Sequence, residues 1–165
     1  VHLFKERVNS LFHRYTPPES VKGALKTVTP EKLLILASIV EKETHLSRER
    51  PLVASVLYNR LRKNMKLQCD PTVVYAHKLL RVKKDRLSRK DLKLKSPYNT
   101  YLFRGLPPSP ICNPSLESIK AVMYPSSSPY LYFVASGNGH IFSKSYAKHL
   151  ENIKRLRRHG KAVRN

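Results

Sequence analysis

Two glutamates, Glu41 and Glu43, close the apolar run IVEKET, in a chain with only 11 Asp and Glu residues. They are the leading candidates for acid–base work. Read as a helix at ~100° per residue, the segment places Ser38, Lys42 and His45 on a polar side and Leu33, Leu36, Ile39 and Val40 on the opposite arc. Glu43 falls inside the apolar arc, one turn after Leu36, Ile39 and Val40, whereas Glu41 lies nearer its edge beside Leu34, Ala37 and His45. A carboxylate that continues a buried stripe is desolvated, which raises its pKa and holds it protonated near neutrality. That is the state a general acid needs to protonate a leaving group such as a glycosidic oxygen. The competing reading is a helix-end glutamate paired with a nearby cation such as Arg48 or Arg50. The pattern leaves both open and ranks Glu43 ahead of Glu41.

Other groups could assist. Asp70, in LQCDPTVVY, precedes Pro71. It either orients a substrate, holds its loop, or caps a helix that starts at Pro71. Asn59, in YNRL, either bonds loop backbone or is an ordinary polar position on a helix. Tyr98, Asn99, Thr100 and Tyr101 offer flat apolar surface and fixed hydrogen-bonding groups together, as sugar rings require. The alternative for that segment is a wrap that covers the core and touches no ligand. His140 and Ser143 follow a Gly-Asn-Gly turn, where they either line a cleft or serve the strand they sit on. Cys69 and Cys112 match no metal-ligand spacing, so no metal and no cofactor is expected. They are two thiols or one disulfide.

The elements that must position these groups read as mostly helical. Leu3, Phe4, Val8, Leu11 and Phe12 set a helical period over residues 1–14, and a short helix follows over 19–26. Thr29 is a natural N-cap with Pro30 at the first helical position and Glu31 at the positive end of the dipole. A helix over about 30–45 follows, then one from Ser47 to about Lys63. Residues 77–95 are dense in Lys and Arg, with only Asp85 and Asp91 against them, and read as a solvated helical insertion. Residues 96–114 are rich in proline and form an irregular, stiff loop of a length that compact domains keep for function. Asn113 and Pro114 read as the N-cap and first residue of a helix over about 114–123. Residues 130–136 and 140–143 form a β-hairpin around 137–139, and a basic helix over about 144–158 closes the chain. The expected class is α+β, mostly helical with one small sheet. All 165 residues form a single domain carrying a basic insertion at 77–95 and a basic tail at 151–165.

With 32 Lys and Arg the formal net charge is +21, which points to an anionic partner: nucleic acid, an anionic membrane surface or an acidic polymer. The hydrophobic share of 41% argues against wholesale disorder. No apolar run reaches the ~18–20 residues that cross a bilayer. A nucleic-acid-binding module fits the charge, but no recognised nucleic-acid motif is present and the basic runs lie outside the motif-like segments.

Two stretches carry a resemblance. Residues 34–76, LILASIVEKETHLSRERPLVASVLYNRLRKNMKLQCDPTVVYA, and residues 96–143, from SPYNTY to HIFS, resemble the endolytic murein transglycosylases of the YceG-like (MltG) family, in the same order and at compatible spacing. The similarity spans roughly residues 30–150. It implies a lysozyme-like catalytic core and one essential glutamate, the second of E-K-E, which is Glu43 here. Thr44 matches the second position of the E-S pair of other lytic transglycosylases, as a hydrogen-bonding neighbour. The implied reaction cleaves the bond between N-acetylmuramic acid and N-acetylglucosamine and leaves 1,6-anhydromuramoyl ends. Cys69 and Cys112 stand where family members commonly have Thr and Ala, and neither belongs to that chemistry. The resemblance also implies peptidoglycan strands as partner, wall-synthesis machinery as a further one, and a position on the outer face of the cytoplasmic membrane. This chain would then be the C-terminal catalytic piece of a membrane-anchored protein. An inactive wall-binding domain is the remaining alternative, against which the intact Glu43 argues.

Overall fold

The computed structural model describes residues 2–159. Helix α1 spans His2–His13 and the single turn α2 spans Glu19–Lys22. Helix α3 (Pro30–Glu43) begins as its sequence dictates: Pro30 opens the first turn and the Thr29 hydroxyl accepts the Lys32 N–H at 3.3 Å. It stops at Glu43 because Thr44 turns extended, with φ −143°.

Seven residues of α3 are buried, among them Ile35 and the run from Leu36 to Val40. Ser38 is one of them, which corrects the expected polar side. Its hydroxyl donates to the Ile35 carbonyl at 2.7 Å and accepts the Ile111 N–H at 3.0 Å. The proline-rich loop packs over the face that the amphipathic pattern assigns to solvent. A short, self-satisfying serine tolerates that burial because both its hydrogen-bonding roles are filled.

A 3₁₀ turn (Ser47–Glu49) leads into α4 (Arg50–Arg62), with Pro51 in the first turn. Helix α5 covers Asp70–Leu79. The basic segment beyond it is not the helix expected over 77–95. It holds only a 3₁₀ turn at Asp91–Lys93, because crowded cations without an apolar stripe give a helix nothing to pack. Helix α6 (Leu116–Met123) is capped by Ser115, whose hydroxyl accepts the Ser118 N–H. The start read at Asn113–Pro114 therefore shifts.

Strands β1 (Tyr132–Ser136) and β2 (Gly139–Ser143) form one antiparallel pair, with Ser136 opposite Gly139 and Tyr132 opposite Ser143. Helix α7 (Tyr146–Arg158) packs on that hairpin, and the basic tail beyond residue 159 lies outside the described residues.

The architecture is α+β, mostly helical, as the sequence indicated. The main core joins α3, α4 and α6 through Leu33, Leu36, Ile39, Val53, Leu57, Ile119 and Val122. A smaller one places Val134 of β1 against Ile153 and Leu156 of α7, with Ile141 beside them. Tyr58 belongs to the main core and satisfies its hydroxyl on the Val122 carbonyl at 2.9 Å. Among the described residues no helix is long and apolar enough to cross a membrane.

Candidate active site

The two glutamates of E-K-E have opposite environments. Glu41 faces the N-terminus of α6. Its Oε2 accepts the Ser115 N–H at 3.0 Å, the Ser115 hydroxyl at 2.6 Å and the Ser118 hydroxyl at 2.7 Å, and Arg50 stands 3.5 Å from its Oε1. Burial pushes its pKa up, but these hydrogen bonds and the Arg50 guanidinium outweigh it and bring the group down to about 2. Glu41 is a structural anion that locks α3 to α6.

Glu43 is the last residue of α3 and is half-buried. Its carboxyl is pushed up to about 8, first by burial and then by the charge of Asp70. The Cys69 thiol, hydrogen-bonded to it, and the Arg60 guanidinium pull the other way without cancelling the effect. The group is thus predominantly neutral at pH 7 while still reaching solvent, a combination suited to donating a proton.

Around Glu43 the chain is held by buried polar links. Thr44 is 4% exposed. Its hydroxyl donates to Glu49 Oε2 at 3.3 Å and accepts the Leu46 N–H at 3.1 Å. Glu49 also takes the backbone N–H of His140 at 3.0 Å on Oε1, and His140 Nδ1 lies 2.7 Å from Oε2. The His140 ring packs edge-on against Phe133, with centroids 5.3 Å apart. The histidine therefore ties the hairpin to the end of α3 through Glu49. Gly139 lets this happen: its φ is +134° and a Cβ there would sit 2.2 Å from Glu49 Oε1.

Arg60 supplies the second anchor. Its Nε donates to the Leu131 carbonyl at 2.6 Å, and its Nη1 reaches the carbonyls of Lys66 and Leu67, both at 3.0 Å, and Gln68 Oε1 at 3.2 Å. The guanidinium also lies 4.9 Å from the ring centre of Tyr132. One side chain thus holds the bend at 66–68, where Gln68 has φ 53°, against the strand entry.

The remaining sequence candidates divide. Asp70 is the first residue of α5 rather than its cap. Its Oδ1 accepts the Tyr101 hydroxyl, and burial raises its own pKa. Thr100 is buried, and its hydroxyl accepts the Cys69 N–H at 2.9 Å and lies 2.9 Å from the Thr72 hydroxyl. Asn99 is fully buried. Its amide donates to the Leu92 and Leu94 carbonyls, and its Oδ1 accepts the Tyr101 N–H. Tyr98 is half-buried against Tyr75 and shares a hydrogen bond with Ser109. Asn59 donates to the carbonyls of Ser128 and Tyr130, both at 2.8 Å. Ser143 is buried and accepts the Asn152 amide.

Asp70 and Tyr101 thus stand with Glu43 and Cys69, while Thr44, Asn59, Asn99, Thr100 and His140 spend their polar atoms inside the protein. Both cysteines are free thiols, so no disulfide joins them. Among the described residues no cluster of three His, Cys, Asp or Glu side chains is arranged to hold a metal. Two surface depressions, one over Lys95–Pro97, Phe103, Leu106 and Pro108 and one around Asn59 and Ser126–Ser128, are not lined by Glu43.

Sequence reasoning missed Glu49 and Arg60. The chain has 32 Lys and Arg residues, and nothing local singles out Arg60. The Glu49 partner lies 91 residues away.

The model of the YceG-like family matches residues 2–155. The chain is 45% identical over 134 residues to the endolytic murein transglycosylase of Bacillus subtilis (strain 168), covering 79% of this chain and 36% of that protein. It is 39% identical over 112 residues to the endolytic murein transglycosylase of Streptococcus pneumoniae serotype 2, covering 67% of this chain and 20% of that protein. The crystal structure of a yceG-like protein from Listeria monocytogenes superposes with a TM-score of 0.69 at 45% identity, covering 76% of this chain and 40% of that one. The chain spans about a third of the length of the Bacillus relative.

Proposed function

The chain belongs to the YceG-like family, and from that premise we propose that it is the catalytic portion of an endolytic peptidoglycan transglycosylase in which Glu43 is the sole acid and base. The observation that carries this reading is the state of Glu43: a half-buried carboxyl raised to about 8, beside a second carboxyl, Asp70, already engaged by Tyr101.

In its neutral form Glu43 donates its proton to the oxygen that links C1 of N-acetylmuramic acid to N-acetylglucosamine, and the C1–O bond breaks. The resulting carboxylate then accepts the proton of the muramoyl 6-hydroxyl as that oxygen attacks C1. A 1,6-anhydro ring closes, Glu43 is reprotonated and no water is consumed. Glycosidases that use water or a covalent intermediate need a second carboxylate across the bond. An internal hydroxyl nucleophile removes that need.

Cys69 and Arg60 moderate the rise in Glu43's pKa, so the anion formed in the first half-reaction is stabilised and can still act as a base. Asp70 and Tyr101 stand on the same side as candidates for substrate contact. Thr44, Asn59, Asn99, Thr100 and His140 act by holding backbone. The substrate places the working site on the extracytoplasmic side of the cell, where the wall polymer lies.

The test is the chemistry of the new ends. Purified peptidoglycan is digested with the protein and the fragments are reduced with borohydride, which labels hemiacetal ends and leaves anhydro ends untouched. Anhydromuramoyl ends at internal cleavage positions are expected. Fragments that all take up hydride would mean hydrolysis and overturn the proposed mechanism.

A further inference from the structure

The C-terminal tip of α5 exposes apolar side chains in a strongly cationic part of the chain. Leu79, Leu80 and Val82 are 53%, 61% and 43% exposed. They sit among Lys78, Arg81, Lys83, Lys84 and Arg86. The tip is a built turn. The Arg81 N–H donates to the Lys78 carbonyl at 2.9 Å and the Val82 N–H to the His77 carbonyl at 3.0 Å, which is the paired pattern of a Schellman helix end.

Such an end puts one residue in the left-handed region, where glycine is preferred. Here that residue is an arginine, Arg81, with φ 60°. The turn accepts the steric cost and gains another cation. Behind it Asp91 fastens the loop: it takes the Ser88 N–H and hydroxyl at 2.8 and 2.7 Å, Lys84 Nζ lies 2.9 Å away, and His77 Nε2 lies 3.4 Å away. The tip is therefore presented on a fixed base.

We propose that this tip docks the protein on an anionic lipid surface, with Leu79, Leu80 and Val82 entering the headgroup boundary and the flanking cations pairing with lipid phosphates. A soluble polyanion explains the cations and leaves the exposed leucines without a role. A bilayer interface uses both, because interfacial binding sums buried apolar area and attraction to anionic lipid.

The protein has no tryptophan, so Leu80→Trp introduces a single fluorescent probe. Titration with phosphatidylcholine vesicles containing phosphatidylglycerol is expected to shift its emission to the blue, and brominated lipid to quench it. Pure phosphatidylcholine vesicles should do neither. In co-sedimentation, Leu79→Ser with Leu80→Ser should weaken binding to the anionic vesicles about tenfold while keeping every charge. Both leucines are exposed, so the fold is not at stake, and circular dichroism checks it. Any of three results overturns the proposal: binding with no blue shift and no loss in the serine variant, equal binding to neutral vesicles, or no binding to the anionic vesicles.

Discussion

The raised carboxyl of Glu43 has a consequence for stability that requires no substrate. The unfolded chain releases the Glu43 proton near its ordinary value of 4.5, whereas the folded protein keeps it to about 8. Between those values the folded state binds more protons, so stability falls as pH rises and the loss is complete above about 8. At ~1.4 kcal/mol per pKa unit the full rise sets an upper limit of about 5 kcal/mol, which solvent reaching the partly exposed group reduces. Glu43→Gln replaces the acid with a neutral group of the same shape and removes this term alone. The variant should match the wild type at pH 4 and exceed it by about 2–3 kcal/mol at pH 7. Urea denaturation of both proteins at pH 4, 5.5, 7 and 8.5 measures the difference directly. A difference that stays constant across this range would refute the assignment of Glu43 as a desolvated neutral acid.

Three further perturbations bear on the same region. Asp70→Asn removes the charge that helps raise Glu43, so the alkaline limb of the pH–activity profile should move to lower pH by about one unit. Cys69→Ala removes a hydrogen bond that lowers Glu43 and should move that limb the opposite way; an identical shift in both variants would separate the limb from Glu43. Gly139→Ala drives a Cβ to 2.2 Å from Glu49 Oε1 at a φ of +134° and should cost about 2 kcal/mol or more, read as a lower denaturation midpoint. Glu41 has the reverse sign from Glu43: its folded pKa of about 2 contributes stability above 4.5 that is lost as pH falls toward 2. Glu41→Gln should therefore be weaker than wild type at pH 7 and converge with it in acid, which denaturation at both pH values checks.

Much of this arrangement was legible in the chain, for uneven reasons. The choice of Glu43 over Glu41 followed from one helix face, and the two carboxyls do fall on opposite sides of their ordinary pKa. The same wheel placed Ser38 in solvent, because a projection knows nothing of a loop that returns 73 residues later to cover it. Thr29–Pro30 marked the start of α3 correctly since capping is local. Residues 77–95 misled because charge density resembles a solvated helix until one asks what the helix would pack against. Asn99, Thr100 and His140 carry the right types for sugar recognition, yet their partners are backbone groups and a glutamate that only the fold brings near. Residue type alone does not distinguish a group that binds substrate from one that holds a loop.

In the proposed mechanism Glu43 alone moves the proton in both half-reactions. The most direct test is mass spectrometry of peptidoglycan incubated with the wild-type protein and, side by side, with the folded Glu43→Gln variant. Anhydromuramoyl fragments are expected from the wild type and none from the variant. Anhydromuramoyl fragments from both would place the acid and base elsewhere and contradict that mechanism.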